Sequence, residues 1–150
     1  MLRDPSLIPL SHQHHNGLAL CVMVRRALAA DGSPETIAKQ AKRVIDRYEL
    51  ELVNHFEIEE QVLFPACAQA ASMSVLIDEL RDDHRAIEAF VGQLRDAASA
   101  DLLERFCARL SAHIRREEGE LFEQVQRSLP RDVLDRMGAE IDRRAVRVCL

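Results

Sequence analysis

Tryptophan is absent from this chain, tyrosine occurs once, and glycine and proline number five each among 150 residues. Runs of β-branched residues are missing as well, whereas alanine, leucine, arginine and glutamate are abundant. That balance favours helices, and no stretch shows the alternation expected of a strand. The longest apolar run, Leu18 to Val24, is too short to span a bilayer. The first residues carry Asp4, Pro5 and Pro9 where a signal peptide would need an apolar core, so a cytoplasmic location away from membranes is expected. The four cysteines, Cys21, Cys67, Cys107 and Cys149, form no Cys-x-x-Cys pair. In a cytoplasmic chain they read as free thiols, neither a disulfide frame nor a zinc site. Lysine and arginine cluster only in pairs such as Arg25-Arg26, Arg115-Arg116 and Arg143-Arg144, and the net charge is −5, so nucleic acid is not an expected partner.

What is present is a set of helical segments. A hydrophobic fraction of 47% over this length suits one domain spanning residues 1–150. The first segment runs from about Ser11 to Ala30 and stops at Asp31-Gly32-Ser33-Pro34. The second opens with Ser33 as cap and Pro34 at the first helical position, and continues toward Phe64-Pro65, where a bend or end is expected. Ser72 or Ser74 opens the third, which runs to about Ala97 with apolar residues at 76, 77, 80, 87, 90, 91 and 94. Ser99 and Asp101 start the fourth, which ends near Pro130. A shorter fifth helix covers about 131–144 and is expected to pack across the end. Short connections predict an all-α, up-down-up-down four-helix bundle over about residues 10–128.

Two stretches nearly repeat each other. His55-Phe-Glu-Ile-Glu59-Glu60-Gln-Val-Leu63-Phe64 and His113-Ile-Arg-Arg-Glu117-Glu118-Gly-Glu-Leu121-Phe122 each place a histidine four residues before a glutamate, followed by a second glutamate and a Leu-Phe pair. Residues four apart share one face of a helix, so each stretch offers an imidazole and a carboxylate pointing the same way. Burying an unpaired carboxylate costs several kcal/mol, so Glu59 and Glu117 at equivalent core-facing positions imply a compensating cation. An ion pair with Arg115 or Arg116 is the plainer alternative. Glu60 and Glu118 lie about 100° further round the helix and read as solvated or supporting groups.

The six histidines are spread over all four long segments. His84 is the one imidazole on the apolar stripe of the third segment, where it needs a polar partner. On the first segment the choice lies between His14 and His15; His14 is closer in phase to Leu18, Cys21, Val24 and Leu28. His12 is expected to face solvent or the entry turn. The candidate metal ligands are thus His14, His15, His55, Glu59, His84, His113 and Glu117.

These residues resemble the hemerythrin-like family, whose members carry His-His-Glu motifs. The matching pieces are Gln13-His14-His15-Asn16-Gly17-Leu18, His55-x-x-x-Glu59-Glu60-x-x-Leu63-Phe64-Pro65, Asp83-His84-Arg85-Ala86-Ile87, and His113-x-x-x-Glu117-Glu118-x-x-Leu121-Phe122. They span nearly the whole chain. The resemblance implies a left-handed bundle holding non-haem iron, commonly two ions bridged by carboxylates, with zinc or manganese as alternatives on donor type. Carried over, His14 or His15, His55, His84 and His113 are terminal ligands, and Glu59 and Glu117 are bridges. The chain departs from the family's oxygen carriers, which place two histidines on the third helix and space the fourth-helix acid by five.

The implied function is binding or sensing of oxygen or a related diatomic or redox signal. Two carboxylates against the four charges of two divalent ions also predict a long-lived reduced form. The rival readings are a di-iron enzyme acting on oxygen, peroxide or nitric oxide, and a metal-stabilised interaction module. An enzyme would need a proton donor, and none is obvious: Tyr48, the only tyrosine, lies two turns before His55 with its facing open.

Overall fold

The computed structural model describes residues 2–149, and its regular elements are all helical. Helix α1 (Ile8–Ala30) starts three residues before the expected Ser11. The reason is a 3-10 turn, Pro5–Leu7, capped by Asp4, whose carboxylate accepts from the Ser6 amide at 3.0 Å. Helix α2 covers 34–67, with the Ser33 hydroxyl accepting from the Thr36 amide at its start. Helix α3 is Ser74–Asp96. Helix α4 covers 100–128, where Ser99 caps the Leu102 amide. Helix α5 is Arg131–Arg144.

Helix α1 packs on α2 and α4, and α3 packs on the same two, so the four long helices close into a bundle. Helix α5 lies against the Pro5–Leu7 turn. Gly138 permits that approach: a Cβ there would sit 2.7 Å from the Ser6 Cα. Arg131 adds an ion pair to Asp4 at 2.7 Å.

Helix α2 does not end at Phe64-Pro65 but runs on to Cys67. A π-helical turn, Glu59–Leu63, precedes the proline and closes with the Phe64 amide donating to the Glu59 carbonyl. Pro65 then falls in the first turn of the α-helical stretch that follows, where a missing N–H is tolerated. Helix α4 has the matching π-helical turn at Glu117–Leu121. A third lies at Tyr48–Leu52. None of these was anticipated from composition or periodicity.

The core is split into two apolar halves. One gathers Leu7, Leu10, Leu63, Phe64, Leu80, Leu121 and Phe122 with the buried face of α5. The other gathers Leu20, Val24, Val44, Phe56, Ile87, Phe106, Leu110 and Ile114. Between them lies a buried layer of polar side chains. The Leu-Phe pair closing each repeated motif forms part of one wall of that layer. After α5, residues 145–149 run back along the bundle. There Asn54 accepts from the Val146 amide, while Gln13 and Asn16 donate to the carbonyls of Val146 and Val148.

Candidate metal centre

His14, His55, Glu59, His84, His113 and Glu117 all lie in the polar layer and are at most 5% exposed. They form two groups. One comprises His14, His55, Glu59 and Glu117; the other comprises Glu59, His84, His113 and Glu117. Within each group the donor atoms lie within 4.8 Å of one another, and both glutamates belong to both groups. His15, the alternative on α1, is exposed and outside both groups, one position further round the helix than His14. His12 is exposed as well.

The contacts inside the layer are short, and only some are hydrogen bonds: His14 Nε2 pairs with Glu117 Oε2 at 2.8 Å. His55 Nε2 lies 2.7 Å from Glu59 Oε1, and His84 Nε2 lies 2.9 Å from Glu59 Oε2. Yet His55 Nε2, His84 Nε2, His113 Nε2, Glu117 Oε1 and both Glu59 oxygens have no hydrogen-bond partner among the described residues. Buried polar atoms left unpaired are costly, and a concentration of them in one place marks a missing partner. Donor lone pairs aimed at common points fit cations. Neither Arg115 nor Arg116 offers the plainer alternative: Arg116 pairs with Glu79, and Arg115 is exposed.

The outer nitrogens of the imidazoles are held from behind. His14 Nδ1 donates to Glu118 at 2.7 Å, His55 Nδ1 to the Gln13 amide oxygen at 2.9 Å, and His113 Nδ1 to Asp83 at 3.2 Å. Each acceptor fixes the proton on Nδ1 and leaves Nε2 facing the centre, the arrangement that orients an imidazole toward a metal. These acceptors are anchored in turn. Glu118 also takes Arg3 and Ser11, Asp83 takes Arg109, and the Gln13 amide donates to Asn54. Phe122 stacks on His14, and Phe56 and Phe64 stack on His84.

Without metal, protons supply the positive charge. Burial pulls the His14 imidazole down, but hydrogen bonds to Glu117 and Glu118 hold it well above its usual range. His113, also opposed by burial, is pushed up to about 10 by the Glu117 charge and the Asp83 hydrogen bond. Burial raises the Glu118 carboxyl, and hydrogen bonds from His14 and Ser11 outweigh it, bringing it down to about 2.

A family model for the hemerythrin HHE cation-binding domain matches residues 9–141 of this chain. The chain belongs to that family. No curated protein and no solved structure gives a significant match. In this HHE domain the repeated motif positions its glutamates at the start of matching π-helical turns on α2 and α4. Gln13 and Asp83, which hold the His55 and His113 rings, were not among the expected site residues. Both sit one residue before a histidine, a signal that was available. Glu118 proves to be a partner of His14, and Glu60 lies 3.4 Å from His84. Glu118 and Asp83 thus add carboxylates around the centre, and each is paired with an arginine, Arg3 and Arg109. Tyr48 is buried and lines a recess that also reaches His84, close to Glu88. Burial and the Glu88 charge push its hydroxyl up, keeping it protonated.

Proposed function

We propose that the domain holds two iron ions in the polar layer and binds or senses oxygen or a related diatomic or redox signal. One ion is taken by His14 and His55 and the other by His84 and His113, with Glu59 and Glu117 shared between them. The observation that carries this reading is the membership of both glutamates in both donor groups. A carboxylate common to two clusters is placed to be shared, and its two oxygens would offer one donor to each ion.

Imidazole and carboxylate suit iron, manganese and zinc alike; the family resemblance favours iron. When bound, such a pair supplies electrons and coordination positions for a small ligand. The protein's own part is to hold Nε2 lone pairs inward through Glu118, Gln13 and Asp83, and to exclude water with the two apolar halves of the core. Phe56, Phe64 and Phe122 wall the layer with rings that offer no acceptor, so a small apolar ligand meets little competition from protein polar groups.

The test is to load the metal-free chain with ferrous iron under anaerobic conditions and titrate oxygen and nitric oxide separately. The proposal expects a saturable change in the visible spectrum at about one small ligand per iron pair. Spectra that remain unchanged with both gases in an iron-loaded chain overturn the sensing role. Catalytic consumption of oxygen or peroxide over many turnovers favours an enzyme instead.

A further inference from the structure

Six nearly inaccessible donors raise the question of how an ion reaches them. We propose that the recess beside His84 is the port through which hydrated divalent cations enter; the proposal rests on the two-ion reading above. Three of the four imidazoles are closed from behind by acceptors that are themselves anchored. His84 is the exception. Its Nδ1 is buried and has no hydrogen-bond partner among the described residues, because Glu60 Oε1, 3.4 Å away, is out of alignment.

His84 borders a recess of about 290 Å³ whose lining includes Phe56, Glu57, Glu60, Arg85 and Glu88. Glu57 and Glu60 are three apart on α2, and Glu88 is four after His84 on α3, so helical spacing brings the acids to one opening. Glu57 and Glu88 are exposed and make no ion pair among the described residues. The one cation of the lining, Arg85, pairs with Asp82 at 3.0 Å. The recess thus combines three carboxylates with an imidazole that is 5% exposed and whose Nδ1 has no hydrogen-bond partner among the described residues.

Charge decides what such a recess attracts. Converging carboxylates raise the local concentration of cations and speed their capture, whereas a neutral diatomic gains nothing from them. Glu57 and Glu88 collect the ion, and Glu60 and His84 Nδ1 receive it. The His84 ring, lacking a hydrogen bond that fixes its outer nitrogen, is the ligand most free to turn and pass the ion inward. Phe56, at 4.0 Å, and Phe64, at 5.8 Å, stack on the ring and are the contacts that such a turn has to pass.

The experiment follows cobalt(II) uptake by the metal-free full chain in a stopped-flow spectrometer at low and moderate salt. E57Q/E88Q removes two recess charges without touching the buried donors. D78N/D96N makes the same change in net charge at exposed positions elsewhere on α3. The port predicts that E57Q/E88Q slows uptake by roughly tenfold at low salt and flattens the salt dependence. The double variant should still reach two ions per chain with an unaltered far-ultraviolet spectrum, and D78N/D96N should load as the parent does. Uptake by E57Q/E88Q at the parent rate, or slowed no more than in D78N/D96N, overturns the port and leaves the two-ion centre standing. A parent chain that takes up no cobalt overturns both.

Discussion

Glu59 and Glu117 occupy equivalent positions on α2 and α4, each four residues after its histidine and each opening a five-residue π-helical turn. Both are 0% exposed, and each contributes to both donor groups. Two buried carboxylates so placed make the loss of either one felt at both ions.

Glu59→Ala should therefore lose both ions, and Glu117→Ala the same, where a terminal-ligand change such as His84→Ala removes support from one. Stability falls with the metal, since binding and folding are linked. Elemental analysis after gel filtration checks this. Full metal content in Glu59→Ala would remove the shared-bridge assignment, and Glu60→Ala should keep its metal at saturation.

Gln13→Leu and Asp83→Ala leave every inward-facing donor in place but release His55 and His113 from their hydrogen bonds. Each should weaken metal affinity by roughly 10–100-fold with the number of ions unchanged. Competition against a calibrated chelator reads the affinity directly. Parent-like affinity in both variants would show that the imidazoles need no such support.

The metal-free chain should lose stability as pH rises. A group whose folded pKa is raised stabilises fully below its unfolded value and stops doing so as pH passes the folded one. For His113 the window runs from about 6.5 to about 10, and His14 adds to it in the same direction. Glu118, held down at about 2, acts oppositely, stabilising above 4.5 and losing that effect as pH falls toward 2. The melting temperature of metal-free protein should thus decline between pH 6.5 and 10, while metal affinity rises as protons leave the ligands. A flat profile across that range contradicts the charge assignment.

Gly138→Ala places a methyl group 2.7 Å from the Ser6 backbone, which has little freedom to move inside a capped turn. The cost should be about 1–3 kcal/mol, an overpacking effect read from chemical denaturation. Gly92→Ala, where an added Cβ meets nothing within 4 Å, should cost nothing.

The sequence disclosed the bundle and its inward-facing donors because helical spacing alone puts His55 with Glu59 and His113 with Glu117 on single faces. Phase favoured His14 without excluding His15; of the two, His14 is buried in the layer and His15 is exposed. The π-helical turns were illegible, since one extra residue in a turn leaves no compositional mark. Gln13 and Asp83 were missed for a different cause: they sit beside histidines in sequence yet reach across to partners on other helices. Pro65 misled in a small way, because a proline's effect depends on the hydrogen-bond pattern of the turn before it.

The central claim is that two ions share Glu59 and Glu117. Anaerobic titration of the metal-free chain with ferrous iron, followed by magnetic susceptibility of the oxidised sample, addresses it in one preparation. Two irons per chain with their spins exchange-coupled is the predicted result. One iron per chain, or two that behave as independent spins, would contradict it.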